Sequence, residues 1–166
     1  MADQARSDLA PLHELAQAAG LPGQPEALCR AAERVLQARF GHQLFTLLSF
    51  HPESGDVERL YSSRPDAYPL AGRKKMGPTP WGDQVLHQGK PYLGRTFDDI
   101  RWAFPDHELI TSLRLGCILN RPLAWNGKVM GVLSLLKEGE RGYDEADLKA
   151  AAPYAALLLP VLLASG

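Results

Sequence analysis

Asn126-Gly127 lies between two apolar runs, Cys117–Trp125 and Lys128–Leu136. An Asn-Gly pair in that setting is the strongest short-range signal for a β-hairpin, because both central positions of a type I′ turn need positive φ. The second run, Val129-Met130-Gly131-Val132-Leu133-Ser134-Leu135-Leu136, does not alternate cleanly between apolar and polar residues. Apolar side chains therefore fall on both pleat faces, and such a strand belongs at the centre of a sheet covered on both sides. The hairpin predicts a sheet with helices packed around it.

A chain of 166 residues is expected to form one domain with a short extension, burying roughly two-thirds of its unfolded surface. The formal net charge is −1 and no dense Lys/Arg stripe occurs, which argues against a nucleic-acid-binding surface. Arg73-Lys74-Lys75 reads as a solvated loop. The cysteines, Cys29 and Cys117, lie far apart with no CxxC or Cys/His ligand spacing, so neither a disulfide framework nor a metal site is expected. The N-terminus lacks a basic segment followed by an apolar core, and the apolar tract Ala150–Ala164 is interrupted by Pro153 and Pro160. No signal peptide and no membrane span are expected, and the expected compartment is the cytoplasm.

Leu9, Leu12, Leu15, Ala16 and Ala19 recur at helical spacing, and Glu26 to Arg39 reads as a second helix with an apolar face of Leu28, Ala31, Ala32, Val35 and Leu36. Leu44–Phe50 and Val57–Tyr61 form a hairpin around a Pro/Gly turn. Ser62–Pro78 lacks periodicity and is expected to be a long loop. Thr79-Pro80 starts a short helix carrying Trp81, Val85 and Leu86. Lys90–Gly94 reads as an edge strand, because Pro91 cannot donate to a central ladder. Two short helical segments around Trp102 and Leu109 lead into the long hairpin, and a closing helix starts at Asp144. Pro153 is expected to bend that helix.

Three blocks carry a family resemblance. Ser112–Leu123 is similar to the penultimate long strand of GAF domains, which ends in an apolar-Pro-apolar step. Asn126–Leu135 resembles the family's turn followed by a Gly-Val-Leu strand, and Tyr143–Leu148 its acidic start to the closing helix. The resemblance runs from about Glu26 to Leu163. It implies an α+β fold, layered α/β/α: a GAF-like central antiparallel sheet of about five to six strands, with terminal helices on one face and middle helices and loops on the other. Residues 1–24 would be an N-terminal helical extension and 25–166 the GAF-like domain.

The resemblance also implies a small-molecule pocket walled by Ser62–Gly116, with Trp81, Tyr92, Trp102, Phe104 and Arg114 as candidate ligand-binding residues. Three aromatic rings with a few polar groups suit a mostly apolar pocket, although Trp81 on an apolar helical stripe reads equally well as core. His87 and His107 read as surface residues. The implied function is a small-molecule-binding sensory or regulatory protein, a homodimer through its terminal helices, with occupancy read by a separate partner. No catalytic residue, cofactor or metal is assigned. One alternative is a redox or small-molecule enzyme of the free methionine sulfoxide reductase type using Cys117. The cysteine pattern speaks against it, since none occurs between Cys29 and Cys117. The other is a ligand-free dimerisation scaffold, suggested by the apolar stretch Leu157 to Leu163.

Overall fold

The computed structural model describes residues 2–165. Helices α1 (Ala2–Ala18) and α2 (Glu26–Phe40) precede a hairpin of β1 (Leu44–His51) and β2 (Asp56–Ser62). A middle region follows: β3 (Lys74–Lys75), α3 (Pro80–Gly82) widening into a π-helical turn at Asp83–His87, β4 (Tyr92–Gly94), α4 (Phe97–Ala103) and α5 (His107–Ser112). The long strands β5 (Leu115–Trp125) and β6 (Lys128–Glu138) come next, then α6 (Glu145–Ala156) and α7 (Leu159–Ser165). The six strands make one sheet in the order β3-β2-β1-β6-β5-β4, every neighbouring pair antiparallel. The expected α+β architecture is the observed one.

The Asn126-Gly127 turn has φ of 53° and 77° at its two central residues, the positive pair that a type I′ hairpin requires. It aligns β5 with β6, and β6 then pairs with β1, so both long strands are interior. Leu133 and Leu135 of β6 join the core beneath the terminal helices, while Val132 and Leu136 pack on the opposite face. The absence of alternation in the sequence has this cause. Gly131 of β6 is pressed between β1 and α7: a Cβ there would lie 2.2 Å from the Leu48 carbonyl oxygen and 2.7 Å from Leu162 Cδ1.

Helices α1, α2, α6 and α7 cover one face. The stripe that α1 buries runs through Leu15 and Ala18 with Leu12 beside them, whereas Leu9 is 66% exposed and Ala16 and Ala19 face solvent. Asp8 anchors α1 by accepting from the Tyr154 hydroxyl at 2.6 Å and Arg39 Nε at 2.7 Å. Among half-buried groups that share several bonds, such a pair matters more than an exposed ion pair. The closing helix is broken rather than gently bent, with a 50° turn between α6 and α7. Pro153 is accommodated inside α6. The break at 157–158 lies just ahead of Pro160, whose ring excludes the carbonyl four residues earlier and removes a donor. No single helix among the described residues is long and apolar enough to cross a membrane.

The middle region covers the other face and differs from expectation in one respect. Lys74 and Lys75 are an edge strand paired with Asp56 and Val57 of β2, not free loop. Salt bridges from Arg73 and Lys75 to Asp56 hold this strand in register.

Two outcomes follow from this packing. Gly131→Ala should lower stability by about 3 kcal/mol or more, because backbone as well as Leu162 must move, measured as a fall in the urea midpoint. His42 is buried against Phe45, with Nε2 3.3 Å from the Glu33 carbonyl oxygen. Burial lowers its pKa below the ordinary value of 6.5, against a smaller opposing pull from Glu33. The unfolded chain therefore takes up the proton first, and stability should fall as pH drops below about 6.5 towards the folded-state value. The acid-side slope of stability should be shallower in His42→Gln.

Candidate functional site

Side chains at alternate positions of β1, Leu44, Thr46 and Leu48, point away from the terminal helices. With Val57 and Arg59 of β2, Ile118 of β5, and Ser134 and Leu136 of β6, they floor a cavity of about 370 Å³. Its roof comes from the middle region: Tyr68, Lys74, Met76, Trp81, Phe104, Pro105, Asp106 and Ile110. The walls are mostly aliphatic and aromatic, the ordinary composition of a small-molecule site.

Trp81 is placed by the start of α3, where Thr79 caps the helix by accepting from the Gly82 N–H and Pro80 fills the first turn. The indole is 3% exposed and packs on Phe104, with ring centroids 5.2 Å apart at 56°. Its Nε1 donates at 3.0 Å to Oδ1 of Asn120, and Asn120 Nδ2 donates at 2.7 Å to Ser134 Oγ. Asn120 is wholly buried, so these bonds offset a desolvation penalty of about 1–3 kcal/mol for each unmet polar group. The chain also ties the roof of the cavity to the centre of its floor.

The mouth is polar. Tyr68 donates to Asp106 Oδ2 at 2.6 Å, and the Arg59 guanidinium lies 3.9 Å over the Tyr68 ring while donating to the Pro69 carbonyl oxygen. Burial, reinforced by the Asp106 charge, pushes the Tyr68 phenol far above its ordinary range, so it remains a donor. Lys74 adds a second cation at the rim. Loop 63–73 is thereby fastened across the opening by a stacked cation and one hydroxyl bond.

The five sequence-derived candidates separate into two groups. Trp81 and Phe104 line the cavity and touch each other. Tyr92 sits behind the wall on β4, donating to the Asp99 carbonyl oxygen at 2.9 Å. Its phenol is pushed up to about 12 by burial and by the Asp99 charge. Trp102 is on the outer side of α4, 51% exposed and stacked on Tyr92 at 5.5 Å. The capping box of Thr96 and Asp99 sets α4 so that Ile100 and Ala103 turn inward and Trp102 outward. Arg114 is exposed at positive φ in the turn entering β5. Neither Trp102 nor Arg114 reaches the cavity.

The pocket wall is also wider than Ser62–Gly116, since the sheet supplies its floor. Thr46, Arg59 and Ser134 were not among the sequence candidates. They alternate with core residues along strands, a signal that cannot say which face carries a cavity. His87 is exposed and meets Phe50 edge-on at 5.7 Å. No group of three or more His, Cys, Asp or Glu among the described residues could hold a metal ion.

Both thiols lie away from the cavity. Cys29 on α2 and Cys117 on β5 are buried in the core beneath the terminal helices. Burial raises the Cys29 thiol to about 11, with Glu26 adding to the effect. It raises Cys117 as well, against opposing hydrogen bonds and the Lys137 charge. Neither resembles an activated nucleophile, which needs a low pKa and access.

Comparison with known proteins agrees with this geometry. No curated protein matches the sequence. Among solved structures, the GAF domain of the Acinetobacter phosphoenolpyruvate-protein phosphotransferase superposes with a TM-score of 0.75 at 14% identity, covering 96% of this chain and 94% of that one. The corresponding GAF domain from Coxiella burnetii has a TM-score of 0.74 at 16% identity, covering 95% and 93%. Free methionine-R-sulfoxide reductase from Neisseria meningitidis, solved with its substrate, has a TM-score of 0.68 at 22% identity, covering 93% and 87%. Similarity at this level concerns the fold alone. The family model for the GAF domain matches residues 26–160, which is most of the chain. The chain belongs to the GAF domain family.

Proposed function

We infer that the chain is a sensory or regulatory module that binds a small, mostly apolar molecule in the cavity between the sheet and the middle region. The observation that carries this reading is the cavity itself, about 370 Å³ of space floored by aliphatic residues and entered past Arg59, Tyr68 and Lys74. It is a half-open hollow lined mostly by aliphatic and aromatic side chains with a few polar groups at its mouth, the ordinary make-up of a small-molecule site. The reading includes a homodimer formed through the terminal helices. Leu9 of α1 and Leu163 of α7, 66% and 42% exposed, support it, as do the partly buried Leu12 of α1, Leu159 of α7 and Leu157 at the break before α7. Ligand occupancy, favouring one of two arrangements of the helices, is then read by a separate partner.

A second reading, an enzyme acting on free methionine sulfoxide, is favoured by the likeness to the Neisseria reductase. The thiols count against it. Thiol–disulfide chemistry needs a thiolate that meets substrate, and Cys29 and Cys117 are on the helix-covered side of the sheet. Iodoacetamide should leave both cysteines unmodified at neutral pH in the folded protein and alkylate both after denaturation. Rapid native alkylation of Cys117 would revive the enzyme.

Thermal-shift screening of metabolites, followed by native mass spectrometry, tests the binding reading. A ligand present at 100 times its Kd should stabilise the protein by about 2.7 kcal/mol, and Trp81→Ala should abolish the shift. A folded protein whose cavity takes up no small molecule would overturn it. Light scattering should return the mass of a dimer, reduced to a monomer by Leu163→Glu.

A further inference from the structure

The cavity floor is aliphatic except along one line. Asn120, Ser134 and Thr46 are consecutive partners across β5, β6 and β1. They form a polar row running through the middle of the sheet, and each is buried. Ser134 and Thr46 open onto the cavity. The role of one hydroxyl in this row, that of Ser134, can be deduced.

The deduction starts at Trp81, whose indole Nε1–H can only donate. The atom of Asn120 facing it must therefore be the amide oxygen, which settles the orientation that side-chain amides otherwise leave ambiguous. The amide NH₂ is then turned to Ser134, 2.7 Å away, and Ser134 Oγ must accept. The single hydroxyl proton of Ser134 finds no acceptor among the described residues. Thr46, next along the row, makes no side-chain hydrogen bond among the described residues either. A molecule that fills the cavity without accepting from these hydroxyls leaves a donor unmatched among apolar groups, which is costly, and one that accepts avoids the cost.

We propose that the cavity selects ligands carrying a hydrogen-bond acceptor, a carbonyl oxygen or a ring nitrogen, on a planar apolar body. The acceptor lies over the sheet, where Ser134 and Thr46 donate to it, and the ring lies against Trp81 and Phe104. Asn120 is the positioning residue: it touches no ligand and makes Ser134 a donor instead of an acceptor. Sites that hydrogen-bond a ligand group reject analogues lacking it more strongly than apolar sites reject a change of shape. The inference rests on the cavity being a ligand site, and the experiment separates the two.

The probes are acetophenone, its hydrocarbon isostere isopropenylbenzene, and toluene, titrated into the full chain while methyl spectra of Leu44, Ile118 and Leu136 are recorded. The acetyl compound should bind about five- to tenfold more tightly than the isopropenyl compound, the ratio that one recovered hydrogen bond supplies. Ser134→Ala and Thr46→Val should each bring the ratio towards one by weakening the acetyl compound while leaving the isopropenyl compound unchanged. Asn120→Asp, whose second oxygen would accept the Ser134 proton, should also remove the preference, which mere loss of packing would not do selectively. Equal binding of the two isosteres by the wild-type chain, or a preference unaltered in Ser134→Ala and Thr46→Val, would overturn the proposal and leave the ligand site standing. So would methyl shifts caused by toluene alone. Silence of the cavity methyls towards all three probes would overturn both.

Discussion

Asn120 has no access to solvent, so every polar atom of its side chain must be satisfied inside the protein. It meets that demand by reaching in two directions, to Trp81 in the roof and to Ser134 in the floor. The middle region is otherwise short helices and loop, elements too brief to hold a position by their own backbone bonding. Trp81 brings one of the largest apolar surfaces in the chain to this layer, and its nitrogen fixes where that surface lies. The cavity survives because the roof is pinned to the sheet at this point and bridged at the rim by Tyr68 and Asp106. Apolar contact alone would have drawn the layers together.

The two faces of the sheet divide the chemistry between them. Beneath the terminal helices lie both thiols, most of the aliphatic core and the half-buried Asp8–Arg39–Tyr154 cluster. On the other face lie the cavity, the row of hydroxyls and the mouth cations. Pleat alternation produces this segregation: Leu47 and Leu133 go one way, Thr46 and Ser134 the other. A reaction needing both a thiol and the cavity would need a path through the sheet, and the strands provide none.

Much of the architecture could be read from the residues. The Asn-Gly turn, the unbroken apolar run of β6, the Thr79-Pro80 cap and Pro91 at an edge each carry a local physical requirement that only one structure meets. The site was less legible. Trp81 and Phe104 stood out as large aromatics in the region between hairpins, but Trp102 has the same composition signal and points outward, because the capping box of Thr96 and Asp99 decides the face. Ser134 and Thr46 are small, common residues in strand-like runs, and their meaning comes from cross-strand register, which depends on pairings between residues about 90 apart in the chain. The edge strand at Lys74 is held by partners on β2 and has no propensity of its own. The last helix breaks just ahead of Pro160, while Pro153 is carried inside α6.

The contact of Gly131 with Leu162 brings the two layers of the molecule close together. Glycine lets α7 lie directly on β6, and one residue further along the same strand, Val132 is already in the opposite layer. Strand β6 is thus a party wall: its backbone is a boundary of the cavity-side room and of the helix-side room at once. The two surfaces are separated by a single thickness of main chain, not by a relay of side chains, so a change in how one room is filled bears directly on the furnishing of the other.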